Sequence, residues 1–434
     1  MDKMADVLGR AGAWCGQNKY LSAIKNAFQN FMPLTIAGAI GVLWCNVLVN
    51  ESTGLGIFFK PIMALEFLNP AFQAVNFCTI SCITVGITLG IAQEIGVWNM
   101  GAEKAGYIPG LVGLAAWLSV TNTSHMVEGA KEAFTGIAGN ELGATGLFTG
   151  MIIGVLSVEL FCFFEKQDAL KIKMPEQVPP GVARAFEVLV PATITLIITA
   201  CIGSACYNLT GLYLNDVIKN GIQGPLGAVG ATIPGVMIIY LVIMLFWLVG
   251  IHGNNMLSAV KEALFTPLAL ENVEKFNKGE KPTNIINMYA LQMWGEFGGS
   301  GVTIGLVIAI MIFGKREDNK AIATLSLVPG LFNINETVTF GIPMVLNPIL
   351  GIPFVVAPLV TIIIGYVLTV IGFCPVACLT VPWTTPPIVF GFLACGASIT
   401  GAVTQAILIV VSTVIYTPFL ISYEKYQNKQ AAEA

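Results

Sequence analysis

Apolar runs of about 20 residues, the length at which a helix spans a bilayer, recur along this chain and constrain its fold more than any other feature. Charged residues make up only 11% of the sequence, against about 25% in a soluble domain. Because a helix satisfies its backbone hydrogen bonds internally, we predict an all-α polytopic membrane protein. The net charge of −4 is small and argues against nucleic acid as a partner.

The apolar runs differ in how clearly they predict a transmembrane helix. The clear ones are 31–49, 77–96, 147–164, 188–206, 231–251 and 354–373. Weaker ones are 107–120 and 302–313. The run 389–421 is too long for one simple span, and we expect a break near Gly396–Gly401 to split it. We therefore expect about ten transmembrane helices in all.

Helix-breaking prolines concentrate in the second half of the chain, where discontinuous helices are typical of transporter binding sites. They include Pro343, Pro348, Pro353, Pro358, Pro375, Pro382, Pro386 and Pro387. The basic stretches 271–281 and 315–320 both read as cytoplasmic, yet the segment 282–314 between them has one good apolar run. We therefore predict a re-entrant hairpin in 282–314, since two full crossings do not fit there.

The first half of the chain has fewer breakers and a pattern that favours close helix packing. Gly146, Gly150 and Gly154 recur at every fourth residue and line one helix face. The stretch 165–187 and the C-terminal tail carry basic residues, so we place both on the cytoplasmic side. The two halves are expected to differ in role, one for packing and one for binding.

Two isolated ionisable side chains carry most of the functional information. Glu336 is the only charged side chain between Ala321 and Tyr423, and His252 is the one group that titrates near neutral pH between Asn220 and Val260. An ionisable group at membrane depth usually faces a cavity and has a function. The alternatives are a structurally paired or protonated glutamate and a histidine satisfied within the core.

The neighbours of these two residues favour a polyhydroxylated ligand. The amides of Asn254, Asn333 and Asn335 offer the donors and acceptors that sugar hydroxyls need. Three tryptophans either stack on sugar rings or belong to an interfacial belt: Trp247, Trp294 and Trp383. Glu296 is a third candidate carboxylate, and the glycines after it, Gly298 among them, either cradle a ligand or pack helices.

Neither a metal nor a cofactor is expected. Most of the ten cysteines lie in apolar segments and read as small packing residues, and the sequence contains no CxxC pair. It contains no nucleotide-binding P-loop either.

Four motifs in this order resemble those of a known family. They are KNAF with MPLTIAGA at 25–39, GIHG at 250–253, GGSG at 298–301 and NINE at 333–336. From about residue 20 to residue 423 the chain resembles the membrane-spanning IIC subunits of bacterial sugar phosphotransferase systems, in the lactose/cellobiose/diacetylchitobiose group.

The resemblance implies an organisation and a set of partners. Such subunits are homodimers in the bacterial cell membrane, with both termini cytoplasmic here and membrane lipid around them. Residues 1–210 would form the dimerisation half, in which we expect the glycine face to take part. Residues 211–434 would form the sugar-binding and translocation half, with re-entrant hairpins. A IIB protein carrying a phosphocysteine, supplied by an upstream IIA, would phosphorylate a β-linked disaccharide at its 6-hydroxyl during import.

The resemblance also assigns roles to residues. His252 and Glu336 would lie at the reacting hydroxyl. Asn335, Gly298, Trp247, Trp383 and Asn140 would line the same pocket. Since no soluble IIB region with a reactive-cysteine loop is visible, we expect the phosphodonor to be a separate polypeptide.

Two other classes of function stay open at this point. One is a proton-coupled sugar symporter in which His252 and Glu336 form a proton relay. The other is a membrane enzyme that modifies a lipid or sugar without transport. The residues do not specify which disaccharide or linkage is bound.

Overall fold

The computed structural model describes most of the chain, with short gaps. The described residues are 10, 13–14, 17–51, 56, 59–125, 134–175, 177–342 and 344–433. Pro343, one of the predicted helix breakers, lies outside them.

Helices dominate the described residues. Those of the first part are α1 (Lys19–Leu43), α2 (Asn69–Asn76), α3 (Ile83–Met100), α4 (Ala102–Ala105), α5 (Ile108–Val120), α6 (Gly139–Leu142), α7 (Ala144–Glu165), α8 (Pro180–Thr210), α9 (Leu214–Ile218) and α10 (Gly224–Gly230). Those of the second part are α11 (Ile233–Leu248), α12 (Gly253–Asn277), α13 (Met288–Gly295), α14 (Ile304–Phe313), α15 (Glu317–Leu331), α16 (Glu336–Gly341), α17 (Gly351–Val370), α18 (Val389–Ala394) and α19 (Ile399–Glu433).

Smaller elements join these helices. The π-helical turns are Trp44–Leu48, Phe77–Ser81 and Lys219–Gln223, and the 3-10 turns are Lys60–Leu68, Asp168–Leu170 and Ser300–Val302. A short antiparallel hairpin pairs β1 (Ser124–His125) with β2 (Phe134–Thr135), with Ser124 opposite Thr135 and His125 opposite Phe134. Apart from this hairpin, the regular secondary structure of the described residues is helical, which confirms the predicted all-α class.

Several of the helices can cross a bilayer. Among the described residues, five are long and apolar enough: Lys19–Leu48, Ala144–Glu165, Pro180–Thr210, Gly351–Val370 and Ile399–Glu433. Counting each of two bent helix pairs as one span raises the number to seven. The polytopic membrane class is confirmed, and the total of about ten spans stays a prediction.

The helices are interrupted at the two places where the sequence predicts breaks. The segment Met288–Val302 is bent by 60° against Ile304–Phe313, so the region 282–314 does not form one straight helix. Gly299 and Gly301 have φ of +86° and +78° at this bend, in the left-handed region that glycine adopts without strain. The predicted break near Gly396–Gly401 is also confirmed, because α18 ends at Ala394 and α19 begins at Ile399.

The start and end of α11 show how the sequence sets a helix that leads to the polar site. The Thr232 hydroxyl accepts a hydrogen bond from the Gly235 N–H at 3.2 Å, which caps the helix, and Pro234 fits its first turn. The helix is apolar on all sides and ends just before Gly250, whose φ is +81°. The chain then reverses, and His252 becomes the N-cap of α12.

The described residues fall into two compact units. The first contains Ile36–Asn76 and Val229–Ala434, and the second contains Gln17–Thr35 and Phe77–Ala228. The predicted halves, 1–210 and 211–434, concern dimerisation and sugar binding, and those roles stay predictions.

In the second unit, the glycine face of α7 packs against α3 of the same chain. A Cβ added to Gly150 would lie 2.8 Å from Thr84 Cγ2 and would collide with the hydroxyl of Thr88. A Cβ on Gly154 would lie 3.1 Å from the Thr88 carbonyl oxygen. The prediction that this face forms a dimer contact is therefore wrong, because α3 already covers it.

The first unit has a large apolar core around the helices that lead to the polar site. Its fully buried large side chains include Tyr240, Phe265, Trp294, Phe297, Phe354 and Tyr416. This core holds α11, α13 and α17 together beneath the breaks in the chain.

Candidate functional site

The structure brings His252 and Glu336 together at the ends of two helices. His252 immediately precedes α12, and Glu336 is the first residue of α16. The distance from His252 Nε2 to Glu336 Oε1 is 3.8 Å. Both side chains are partly exposed, with exposed fractions of 36% and 48%.

The imidazole of His252 is oriented by its own helix. Its Nδ1 accepts a hydrogen bond from the Asn255 N–H at 3.3 Å, so Nε2 is the nitrogen that faces Glu336. The ring also packs against Trp247, with ring centres 4.4 Å apart. Trp247 is only 3% exposed and fixes one side of the imidazole.

Asn333 joins three backbone segments next to this pair. Its Oδ1 accepts from the Gly298 N–H at 2.6 Å. Its Nδ2 donates to the carbonyl oxygens of Trp383 and Thr385 at 2.5 and 3.0 Å. Asn333 itself has a φ of +63°, a conformation that asparagine tolerates better than most residues. The amide predicted to bind sugar is thus engaged with backbone, which favours a scaffold role.

Asn335 and Gly298 are likewise part of the framework. Asn335 is buried, and its Nδ2 donates to the Ser300 carbonyl at 2.8 Å. Gly298 has a φ of +69°, and a Cβ there would fall 2.6 Å from the Ile304 nitrogen. Gly298 is therefore needed for the bend, and its N–H is taken by Asn333.

A buried ion pair joins Lys261 to Glu296 near the site, and the sequence analysis identified only Glu296. Glu296 pairs with Lys261, and the Tyr240 hydroxyl donates to the same Glu296 oxygen at 2.7 Å. Lys261 also donates to Asn254 Oδ1 at 3.4 Å. The missed signal is spacing, because Lys261 follows Asn254 by about two helical turns and so shares its face.

The tryptophans divide by burial. Trp247 and Trp294 are 3% and 2% exposed, so the alternative of an interfacial belt is wrong for both. Trp383 is 43% exposed. Trp383 is thus the exposed one of the three, and the Asn333 amide holds its carbonyl.

Nine of the ten predicted site residues lie within Val229–Ala434, in the first compact unit. The tenth, Asn140, lies in α6 of the second unit and is exposed.

Metal-ligating groups do not cluster in the described part of the chain. No set of three or more His, Cys, Asp or Glu side chains there can hold a metal ion. The described cysteines form no disulfide, and Cys374 Sγ lies 3.8 Å from Cys395 Sγ.

Membrane-spanning helices, a bend rich in glycine and a polar site beside that bend define a membrane transporter. The chain belongs to the family described as phosphotransferase system, EIIC, which matches residues 25–358. It is therefore a membrane permease component of a sugar phosphotransferase system, a kind of protein that binds sugar and works with IIA and IIB partners.

Individual relatives cover nearly the whole chain. The oligo-beta-mannoside-specific EIIC component of Bacillus subtilis is 33% identical over 98% of this chain and 94% of the relative. The cellobiose-specific EIIC component of Lactococcus lactis is 29% identical over 98% of each. The crystal structure of ChbC, the IIC component of the N,N'-diacetylchitobiose-specific system, has a TM-score of 0.88 at 30% identity and covers 97% of both chains.

Proposed function

We propose that this permease imports a β-linked disaccharide and presents its 6-hydroxyl to a phosphorylated IIB protein. The similar proteins are named for oligo-β-mannosides, cellobiose and diacetylchitobiose, whose sugars are all β-linked. Family membership also favours group translocation over the proton-coupled symport that the same two residues could serve.

The observation that carries the proposal is the gap between His252 and Glu336. Two atoms 3.8 Å apart are too far apart for a direct hydrogen bond, yet an oxygen placed about 2.8 Å from each fits between them. One sugar hydroxyl can therefore contact both side chains at once. The exposed fractions of 36% and 48% leave that position open to a ligand.

The two groups have different roles in the reaction we propose. The sugar oxygen attacks the phosphorus of the IIB phosphocysteine, the S–P bond breaks, and the cysteine leaves as a thiolate. Glu336 accepts the hydroxyl proton as general base. His252 donates its Nε2–H to the same oxygen in the ground state and, as charge develops, to the transferring phosphoryl group.

Other residues hold the sugar or the frame around it. The exposed ring of Trp383 provides a face for a pyranose, and Trp247 supports His252 from behind. Asn333, Asn335 and Gly298 hold the bend and the start of α16 in position relative to each other. Asn254 and Glu296, both bonded to Lys261, belong to the frame, and the role of Asn140, in the second unit, stays a prediction.

The assembly we propose follows from the family resemblance alone. Residues 1–210 mediate a homodimer, and both termini face the cytoplasm, where IIB docks. Since the glycine face of α7 is covered within the chain, the dimer contact must use another surface. Crosslinking in native membranes tests the dimer, and a single-sided cysteine-labelling assay on the C-terminal tail tests the orientation.

Glu336→Gln tests the catalytic assignment. The variant keeps the size and hydrogen bonding of the side chain but loses the base, so phosphorylation should fall about 10²–10⁴-fold while sugar affinity changes little. Glu336→Ala should lose both phosphorylation and sugar affinity, because the buried sugar hydroxyl left without a partner costs about 1–3 kcal/mol of binding free energy. His252→Ala should resemble Glu336→Ala. Proteoliposomes with phosphorylated IIB on the cytoplasmic side would report sugar phosphate formation.

The matched control is Glu317→Gln, a glutamate on α15 that is 87% exposed, and it should behave as the wild type. Wild-type phosphorylation by Glu336→Gln would contradict the base assignment. Accumulation of free sugar driven by a pH gradient without IIB would instead support the symporter.

A further inference from the structure

A polar network lies behind the two proposed catalytic groups. Lys261, on α12, has a side chain only 7% exposed and forms an ion pair with Glu296. The Tyr240 hydroxyl adds a second donor to the same carboxylate. A buried ion pair of this kind contributes little net stability compared with well-packed apolar side chains. Its presence therefore calls for a reason other than holding the fold together.

The network connects the ion pair to both sides of the gap between His252 and Glu336. Lys261 donates to Asn254, and Asn254 Nδ2 donates to Ser300 Oγ at 2.9 Å. The carbonyl of Ser300 accepts from Asn335 at 2.8 Å. Asn254 stands two residues after His252, and Asn335 directly precedes Glu336. The start of α12 and the start of α16 are thus tied through one turn, Ser300–Val302.

We propose that Lys261 is a positioning residue for phosphoryl transfer, which sets the distance between His252 and Glu336 through Asn254, Ser300 and Asn335. The inference rests on the proposed function, because it takes the two catalytic groups to share one sugar hydroxyl. Lys261 does not bind the sugar or the phosphoryl group itself. Its ammonium is buried and directed at Glu296 and Asn254.

The expected effect is larger on the reaction than on sugar binding. A displacement of about 1 Å at a reacting group can lower a rate about 100-fold, whereas the proposed sugar contact at the Trp383 ring lies outside the hydrogen bonds that join Lys261, Asn254, Ser300 and Asn335. Removing the ion pair should therefore lower kcat for phosphorylation about 10–100-fold and change KM for the sugar less than about threefold.

The variant of choice is the double substitution Lys261→Met with Glu296→Gln. It removes both charges together, so no unpaired charge stays buried. Ser300→Ala is the second variant, since it cuts the network at a neutral hydrogen bond and keeps the carbonyl that holds Asn335. The matched control is Lys278→Met at the C-cap of the same helix, where the lysine is 59% exposed and pairs with Glu274.

Each variant is combined with Glu336→Gln, and phosphorylation and sugar binding are both measured with purified IIB in proteoliposomes. If Lys261 acts through the pair, its loss should cost about 10–100-fold with Glu336 present but less than about threefold in the Glu336→Gln background. Ser300→Ala should show the same dependence with a smaller effect. Lys278→Met should be neutral in both backgrounds.

The outcomes separate the two claims. Equal rate losses in both backgrounds would overturn the positioning role and leave the proposed function standing. Loss of sugar binding by the double variant and by Ser300→Ala in both backgrounds would also overturn it, because the network would then serve the fold. No effect of Glu336→Gln by itself would refute the proposed function, and the inference with it.

Discussion

Asn333 offers a sharp test of how the site is built, because one side chain joins three loops. We consider Asn333→Ala, which removes the amide, and Asn333→Gly, which removes the same amide but suits the φ of +63°. The buried partner most affected is the Gly298 N–H, which now lies 2.6 Å from Asn333 Oδ1. The carbonyl oxygen of Trp383 lies at an exposed position and can be hydrated by water instead.

These contacts give a magnitude. Leaving the Gly298 N–H without a partner costs about 1–3 kcal/mol. An alanine in the left-handed region adds about 1–2 kcal/mol of strain, which glycine avoids. Glycine is more flexible in the unfolded chain, however, and this costs the glycine variant about 0.5–1 kcal/mol. We expect Asn333→Ala to destabilise the protein by about 2–5 kcal/mol. We expect Asn333→Gly to be less damaging by about 1 kcal/mol.

Unfolding by sodium dodecyl sulfate in mixed micelles, followed by circular dichroism, measures the stability of each variant. Sugar affinity and phosphorylation measured in parallel should both fall, since the bend and the start of α16 lose their connection. A loss of less than about 0.5 kcal/mol for Asn333→Ala, below the cost of one lost buried hydrogen bond, would refute the reasoning. So would a glycine variant less stable than the alanine variant.

Three further predictions use other parts of the chain. Gly150→Leu should destabilise the monomer by more than about 2 kcal/mol through overpacking against Thr88 without changing any dimer, as detergent unfolding and crosslinking would report. Trp383→Ala should weaken sugar binding about fivefold, the loss of about 1 kcal/mol of ring contact; an unchanged affinity in a titration would remove the stacking role. Glu165→Gln should destabilise the protein by about 3 kcal/mol, because this carboxylate is 1% exposed and pairs with three cations. The control Glu187→Gln, 31% exposed, should cost less than about 1 kcal/mol.

The positions of the helix breaks were predictable because they depend on local sequence. The segment 282–314 has too few apolar residues for two crossings, and glycines mark the place where the chain bends. The pairing of His252 with Glu336 at 3.8 Å was expected only through the family resemblance, since the residues are far apart in sequence. Lys261 went unnoticed because its carboxylate partner, Glu296, lies 35 positions further along the chain.

The glycine face of α7 also shows what a sequence pattern can and cannot predict. The spacing of Gly146, Gly150 and Gly154 correctly predicts a close helix contact. It does not say whether the neighbour is a helix of the same chain or of a second copy, because both would present the same packing surface. The structure settles the neighbour as α3.

The sequence by itself determined the class of this protein and the identity of its isolated polar groups. Hydropathy and helix breakers act over one or two helical lengths, so they can be read without knowing the fold. Only the tertiary structure decided which groups meet: Asn333 with the backbone of Gly298, Trp383 and Thr385, Lys261 with Glu296, and Gly150 with α3. These contacts join residues distant in sequence, and their energies depend on distances of a few ångströms that no local pattern specifies.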